Sequence, residues 1–408
     1  MGFDFHNIPS TAFWFALAEA SGTHYPQIFS LLLPSMCIDN IDTELFLRLF
    51  LHDTPLMDVR APVEFNKGAF PTATNLPLLD DRQREIIGTC YKQKGHDEAV
   101  NLGNTLATAD IRQQRLNRWQ QFIGQHPEGY LYCFRGGERS HTTQRWLKEA
   151  GIDYPLINGG YKALRHFLIE SLEHTIEHCA MVVLSGKTGV GKTRLLNQLP
   201  GSIDLEGLAN HRGSSFGRRV GGQPTQINFE NRLAIALLKH YHNNPQQPVI
   251  LEDESKMIGR CSLPPTLKAK MQVSPLLLLE ESMATRVTIS VQEYIIDDHH
   301  DLEQCSETST SLDQLFENLR DSLYRIRRRL GGLRYQQMSN RLDNAIHQHR
   351  SDNDLSGYRP LIEDLLSEYY DPMYDYQLAQ KESPVLFKGN SSAIEAYCQH
   401  FSALPDSP

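Results

Sequence analysis

Short apolar runs alternate with longer polar segments along this 408-residue chain. Helical patterning occupies 42–51, 80–128, 142–150 and most of the chain beyond about 290, where apolar residues recur at helical spacing. Between these segments, compact apolar runs predict buried strands at 55–60, 130–132, 154–157, 180–184, 248–251 and 275–279. Strands that alternate with helices in this way predict an α/β fold with parallel sheets.

The strand predicted at 180–184 leads directly into a glycine-rich turn, Gly186-Lys187-Thr188-Gly189-Val190-Gly191-Lys192-Thr193. This turn fits the P-loop pattern G-x-x-x-x-G-K-[ST], whose backbone N–H groups and following helix N-terminus bind phosphates. We therefore predict that Gly186, Gly189 and Gly191 shape a diphosphate or triphosphate site. Lys192 would reach the outer phosphates, and Thr193 is a candidate Mg²⁺ ligand. The preceding strand disfavours a chance glycine-rich turn.

The strand predicted at 130–132 delivers a cysteine to a second loop. This loop contains Cys133, Arg135, Gly136, Gly137, Arg139 and Ser140, and a helix is predicted to start near Ser140. Loop amides, the helix dipole and two arginines all favour a thiolate and a bound anion. We predict Cys133 and Arg139 as catalytic residues; the alternative is a buried cysteine at a strand end.

An acidic segment follows the strand predicted at 248–251. Glu252 and Asp253 stand where a P-loop protein places the acidic end of a buried parallel strand, so either could hold Mg²⁺ or a water molecule. Asp253 is, with Thr193, our candidate Mg²⁺ ligand, and an exposed acidic turn is the alternative. Asp58, at the end of the first strand, is more typical of a helix cap or a structural ion partner.

Composition and charge narrow the class of protein. Hydrophobic residues make up 40% of the chain, the net charge is −9, and the seven cysteines are scattered without a C-x-x-C pair. We therefore expect a cytoplasmic protein with neither a disulfide framework nor a membrane span. The net charge excludes a uniformly basic coat, so any RNA contact must come from local patches. Candidate contacts are Arg212, Arg218, Arg325, Arg328 and Arg329, although a basic helix face in solvent is an equally ordinary explanation for part of them.

These features divide the chain into four predicted regions. Residues 1–36 form an N-terminal extension of unknown role, and 37–170 form the domain that contains the cysteine loop. Residues 171–300 form the P-loop domain, and 301–408 form a helical C-terminal region expected to contact RNA.

Several motifs of the first domain together resemble a rhodanese domain. They are Asp58-Val59-Arg60, Asn75-Leu76-Pro77, the Cys133 loop with Arg139-Ser140, and Gly159-Gly160-Tyr161. Rhodaneses use the cysteine of this loop as a persulfide carrier, and the resemblance implies that role for Cys133 by its position. One departure is that five residues separate Cys133 from Arg139, the spacing of cysteine phosphatases, so the loop has the size for a tetrahedral phosphate-like anion.

A wider resemblance runs from about Asp53 to about Gly389. The P-loop half and four further segments resemble the bacterial tRNA 2-selenouridine synthases; the segments are 88–92, 204–217, 251–255 and 369–374. The resemblance implies that wobble 2-thiouridine in tRNA is S-geranylated from geranyl diphosphate and then receives selenium from selenophosphate. It also implies no tightly bound cofactor, apart from Mg²⁺ as a candidate. On this basis Cys133 handles selenium and the P-loop serves geranyl transfer.

Two other classes of function remain open from the residues alone. The spacing of Cys133 and Arg139 fits a cysteine phosphatase fused to a nucleotide kinase, although Tyr132 stands where such phosphatases commonly have His. A non-catalytic, nucleotide-driven RNA-binding switch would instead leave Cys133 dispensable.

Overall fold

The computed structural model describes residues 43–305 and 308–399. All of these residues belong to one compact unit that begins at Asp42. The predicted extension 1–36 lies outside the described residues, as do the first residues of the region predicted at 37–170 and the last residues of that predicted at 301–408. The four domain boundaries stay predictions.

The first half of the described chain is built on a small parallel sheet. Its strands are β1 (Leu56–Asp58), β2 (Ala73–Asn75) and β3 (Tyr130–Tyr132), in the order β2-β1-β3. The strand predicted at 154–157 is reduced to one parallel bridge between Leu131 and Leu156. Because the strands are parallel, the residues after β1 and β3 meet at one edge of the sheet.

Helices cover this sheet and confirm the polar helical segment predicted at 80–128. Asp80 and Thr108 cap two of these helices by accepting backbone hydrogen bonds from Gln83 and Ile111. The helix predicted at 142–150 begins earlier, directly after the glycines of the Cys133 loop. The helices of this half are Thr43–Leu51, Pro62–Phe65, Asp81–Lys94, His96–Leu106, Ala109–Gln125, Glu138–Glu149 and Gly160–His178.

The second half contains a five-stranded, fully parallel sheet. Its strands, in spatial order, are β10 (Val385–Gly389), β9 (Leu276–Leu279), β4 (Met181–Gly186), β6 (Val249–Glu252) and β5 (Ser202–Ile203). The strands predicted at 180–184, 248–251 and 275–279 are confirmed as β4 (Met181–Gly186), β6 (Val249–Glu252) and β9 (Leu276–Leu279). β4 and β6 are buried along their whole length, as expected for parallel strands covered on both faces. The sequence did not predict β5 (Ser202–Ile203), β10 (Val385–Gly389) or the short hairpin of β7 (Met257–Ile258) and β8 (Cys261–Ser262).

Helices predominate beyond residue 290, as predicted, and they pack around their own apolar core between Val287 and Tyr370. The chain nevertheless returns to the sheet as β10. None of the described helices combines the length and apolar character that a bilayer-spanning segment requires. The helical elements of this half are Lys192–Leu196, Leu205–Leu208, Gln226–Asn243, Pro265–Val273, Met283–Val291, Gln292–Asp297, Asp298–Cys305, Thr308–Leu330, Gly332–Asp352, Tyr358–Leu365, Leu366–Tyr370, Asp371–Ala379 and Ser391–Gln399.

The two halves are joined by helix Gln226–Asn243, which packs against helix Gly160–His178. Two asparagines of helix Gln226–Asn243 form hydrogen bonds with the backbone N–H and C=O groups of a single residue in the other half, Ala69. Asn228 Oδ1 accepts from the Ala69 N–H at 2.7 Å, and Asn231 Nδ2 donates to the Ala69 carbonyl at 2.8 Å. Asn231 is fully buried and also accepts from Arg165 at 2.7 Å.

Replacing Asn231 with Ala should lower the free energy of unfolding by about 1–3 kcal/mol, because the buried Ala69 carbonyl loses its partner. Urea denaturation measures this change. Asn243→Ala, at the exposed end of the same helix, should change stability by less than about 0.5 kcal/mol. Equal effects of the two substitutions would show that Asn231 does not secure the interface.

Candidate functional site

The P-loop takes the shape that phosphate binding requires. β4 ends at Gly186, and helix Lys192–Leu196 begins at the end of the turn. Gly189 and Gly191 adopt φ of 78° and 81°, which side chains disfavour, and a Cβ on Gly189 would lie 2.7 Å from Ser290 Oγ. Lys192 Nζ folds back over the turn and donates to the Gly186 carbonyl at 3.0 Å. The lysine is thereby held at the centre of the turn.

The C-terminal region holds the outer side of the P-loop in place. Arg286 is buried, donates to the Thr188 carbonyl at 3.0 Å and forms a bidentate ion pair with Asp371. Lys187 pairs with the same carboxylate at 3.5 Å and with Asp375 at 3.0 Å. Sequence reasoning did not identify Asp371, since only the folded chain brings it near the loop.

The two predicted acidic residues point to different partners. Asp253 accepts a hydrogen bond from Ser185 Oγ at 2.6 Å and pairs with Lys381. Glu252 is fully buried at the end of β6; its Oε1 accepts from the Glu206 N–H at 2.5 Å, and its Oε2 has no hydrogen-bond partner. The structure therefore pairs Asp253 with the ammonium group of Lys381, whereas Glu252 lies near other carboxylates.

Glu206 is the acidic side chain that contacts the P-loop threonine. Its Oε2 accepts from Thr193 Oγ1 at 3.2 Å, and Glu206 and Glu254 both approach Gly213, where a Cβ would lie 2.7 Å from their carboxylate oxygens. No three His, Cys, Asp or Glu side chains within 43–305 and 308–399 form a metal-binding group. Mg²⁺ at P-loops relies on one or two protein oxygens plus phosphate and water, so Thr193 and Glu206 fit such an ion. Nothing in the sequence singles out Glu206 beyond its place in an acidic, glycine-rich segment.

Burial and mutual repulsion raise the pKa of these carboxyls. Burial is the largest cause for Glu252, whose pKa lies well above its ordinary value, followed by repulsion from Glu206 and Asp204. Burial and then the Glu206 carboxylate raise the pKa of Glu254 to about 8, against the opposing effect of Lys192. A cation bound among these groups would lower their pKa values and favour ionisation.

The contribution of Glu254 to stability should fall as the pH rises from about 5 to 8, because the folded chain favours the protonated form of this side chain. A raised folded-state pKa stabilises the folded chain to its full extent at pH values below the ordinary pKa of glutamate. This stabilisation is lost as the pH rises through the folded-state pKa of Glu254. The melting temperature of Glu254→Gln should rise relative to that of wild type as the pH rises through this range, while Glu382→Gln, at an exposed position, should keep the wild-type profile. An unaltered pH profile in Glu254→Gln would contradict this assignment.

The Cys133 loop is shaped by glycines from two segments. Cys133 is 3% exposed, and its Sγ lies 3.9 Å from the Gly137 carbonyl. Gly136 has φ of 67°, and a Cβ on Gly160 would lie 2.3 Å from the Cys133 carbonyl. The N–H of Tyr161 donates to that same carbonyl at 2.8 Å. Helix Gly160–His178 therefore begins directly against the loop.

The predicted anion-binding residues differ in how firmly they are held. Arg139 forms a bidentate pair with Glu64, through bonds of 2.5 and 3.2 Å, while Arg135 is exposed. Burial would raise the pKa of Glu64, but the hydrogen bonds and charge of Arg139, together with the Ala61 N–H and Arg84, outweigh it and lower that pKa. Ser140 Oγ is buried without a hydrogen-bond partner. The loop thus has one orientated arginine, one exposed arginine and one unsatisfied hydroxyl beside Cys133.

Asp58 forms a buried ion pair with Arg60, which makes it a structural ion partner. Arg60 is buried, pairs with Asp58 at 2.6 Å and donates to the Gly68 carbonyl at 2.8 Å. Its guanidinium lies 3.8 Å from the centre of the Tyr161 ring. Burial opposes the charge of Arg60, but the hydrogen bond and charge of Asp58 prevail and raise its pKa.

The candidate RNA contacts fall into two groups. Arg212 is buried and pairs with Asp298 at 2.6 Å, so we leave it out of the proposed RNA surface. Arg325, Arg328 and Arg329 are exposed on one side of helix Thr308–Leu330, and Arg218 is exposed nearby. Tyr369 and Tyr370, in the segment 369–374 that carries part of the family resemblance, are buried in the helical core.

The parallel sheet, the glycine-rich turn between β4 and its helix, and the acidic strand end define a P-loop protein, here joined to a second α/β region with a cysteine in a glycine-rich loop. The family model for the tRNA 2-selenouridine synthase AAA domain matches residues 179–404. The chain belongs to the tRNA 2-selenouridine synthase family.

Proteins named tRNA 2-selenouridine synthase match nearly their whole length to this chain. That of Marinobacter nauticus is 52% identical, covering 88% of this chain and 97% of its own. Those of Alcanivorax borkumensis and Hahella chejuensis are 50% and 48% identical, covering 87% and 90% of this chain and 98% and 96% of their own. A solved N-terminal domain from Clostridium difficile 630, whose parent is named for ATP/GTP binding, is 28% identical over 28% of this chain and 89% of its own, with a TM-score of 0.27 that supports no statement on fold.

Proposed function

We propose that this chain converts the wobble 2-thiouridine of tRNA to 2-selenouridine in two steps at two sites. The observation that carries the proposal is the near full-length identity of about half to proteins named for this synthesis. The P-loop and the Cys133 loop both lie within the matched length. This membership is also why we prefer the synthase to a phosphatase–kinase or an RNA-binding switch. We also propose that the first half of the chain is a rhodanese-like domain.

The first proposed step is geranyl transfer at the P-loop. The sulfur of 2-thiouridine attacks the first carbon of geranyl diphosphate, the C–O bond breaks, diphosphate leaves, and the base loses its N3 proton. Lys192 and the turn amides would stabilise the charge on the leaving diphosphate. Mg²⁺, held by Thr193 and Glu206, would add Lewis-acid stabilisation of that charge.

The second proposed step exchanges sulfur for selenium at the Cys133 loop. S-alkylation makes geranylthiolate a better leaving group than the original thiocarbonyl sulfur. The S-geranylated base, selenophosphate and water would give 2-selenouridine, geranylthiol and phosphate, with selenium unchanged in oxidation state. Arg135 and Arg139 would bind the tetrahedral selenophosphate anion through charge-assisted hydrogen bonds. Cys133 is the residue that we assign to the selenium in this step.

Mass spectrometry of tRNA nucleosides tests the proposal. Transcribed and thiolated tRNA is incubated with the protein and geranyl diphosphate, and selenophosphate is then added. We expect S-geranyl-2-thiouridine first and 2-selenouridine afterwards. Unchanged 2-thiouridine with folded protein and both donors would refute the proposal.

The exposed arginines of helix Thr308–Leu330 form the proposed tRNA surface, together with Arg218. Replacing Arg328 and Arg329 with Ala should weaken tRNA binding, and the slope of log affinity against log salt should fall by about one for each phosphate that no longer pairs with an arginine. Arg320→Ala is the matched control, since Arg320 lies on the same helix and pairs with Asp343. If the Arg328→Ala, Arg329→Ala and Arg320→Ala variants all kept the wild-type salt slope, the tRNA would bind elsewhere on the protein.

A further inference from the structure

A large cleft opens beside the Cys133 loop, and the proposed selenium chemistry uses only one end of it. Its volume is about 1050 Å³, just above the usual upper limit of small-molecule sites. Phe134, Arg135, Glu138 and Arg139 of the loop line one end. Helices Asp81–Lys94 and His96–Leu106 form the opposite wall, including most of the segment 88–92 that the P-loop and the cysteine do not explain.

The wall of this cleft is mostly apolar. Leu78, Leu79, Ile87, Val100, Trp146 and Ile227 contribute hydrocarbon surface to it. A tetrahedral anion such as selenophosphate is small and strongly hydrated, and it gains nothing from such a wall. The occupant must therefore present a substantial hydrocarbon group close to the anion loop.

The edges of the cleft have a different character. Lys67, Arg84, Lys92 and Arg115 line it in addition to the arginines of the loop, and the rings of Tyr91 and Phe134 are 57% and 37% exposed. Basic side chains and exposed aromatic rings are the groups that bind an RNA backbone and stack an unpaired base. The cleft thus combines a hydrocarbon wall, a nucleobase-binding edge and an anion loop.

We propose that this cleft binds the prenyl chain of S-geranyl-2-thiouridine while the base is held at the Cys133 loop. This inference rests on the proposed function. The base would enter past Phe134 and Tyr91, the chain would lie against Ile87 and Val100, and C2 of the base would face the selenium donor. The cleft thereby retains the geranylated intermediate in preference to unmodified 2-thiouridine.

The test compares two neighbouring isoleucines on helix Asp81–Lys94. Ile87 lines the cleft, whereas Ile86 is 39% exposed and lies outside its lining. Affinities of wild type, Ile87→Asp and Ile86→Asp are measured for anticodon stem-loops that contain either S-geranyl-2-thiouridine or 2-thiouridine, without selenophosphate. We expect wild type and Ile86→Asp to prefer the geranylated RNA by about tenfold or more, and Ile87→Asp to lose this preference.

Val100→Trp, which narrows the cleft, provides a second variant, and thermal melts establish that each variant is folded. Preference for geranylated RNA retained in both folded variants would overturn the inference. A raised KM for geranyl diphosphate in Ile87→Asp, with unaltered binding of geranylated RNA, would also overturn it by assigning the cleft to the donor. Nucleoside analysis of wild type is a separate readout: absence of 2-selenouridine there would refute the proposed function itself.

Discussion

Replacing Lys192 with Ala is expected to reduce geranylation of 2-thiouridine tRNA by about 10²–10³-fold, because the leaving diphosphate loses its principal cation. Lys192 Nζ lies 3.0 Å from the Gly186 carbonyl, inside the turn that the diphosphate would occupy. The rate of appearance of S-geranyl-2-thiouridine, measured by mass spectrometry, checks this. Selenation of RNA that is already geranylated should be unaffected.

Lys239→Ala is the matched control for that experiment, since Lys239 pairs with Asp53 far along the chain from the P-loop motif. It should retain the wild-type rate of geranylation. A loss in Lys192→Ala no greater than in Lys239→Ala would mean that the P-loop does not bind the geranyl donor.

Replacing Cys133 with Ala is expected to abolish formation of 2-selenouridine and to leave geranylation intact. The thiol is buried in a glycine-rich loop that packs against Gly159-Gly160, and Arg139, which follows this loop, is orientated by Glu64. S-Geranyl-2-thiouridine should therefore accumulate when both donors are present, and nucleoside mass spectrometry quantifies it.

Cys305→Ala, at an exposed position, should behave as wild type in the same assay. If Cys133→Ala loses both products while it melts as wild type does, the division of labour between the two loops is wrong. If it still makes 2-selenouridine, Cys133 takes no part in the selenium step.

Contiguous motifs could be predicted from the sequence because their geometry is local. The P-loop follows from an apolar run and glycines at fixed spacing, and the Cys133 loop follows a strand in the same way. Three of the five strands of the larger sheet were predictable from apolar runs. β10 was not, because its apolar run is only three residues long (Val385, Leu386 and Phe387) and the strand is at most half-buried at the sheet edge.

Partners from distant segments could not be predicted. Glu64 orientates Arg139, Glu206 contacts Thr193, and Asp371 holds Arg286. The two residues of each pair are apart in the sequence and come into contact only when the chain folds. Arg212 illustrates the reverse case. It belongs to a basic, glycine-rich segment that is typical of RNA contact, yet Asp298 and the ring of Tyr294 enclose its side chain. The large cleft likewise arises only when the helical segment after residue 80 packs against the Cys133 loop.

The central claim is that two sites perform two successive steps on one base, and a complementation assay tests it most directly. tRNA geranylated by the Cys133→Ala variant is purified and given to the Lys192→Ala variant with selenophosphate, in the absence of geranyl diphosphate. The account predicts 2-selenouridine at close to the wild-type rate. Failure of the Lys192→Ala variant to convert this tRNA, under conditions where wild type converts it, would contradict the account.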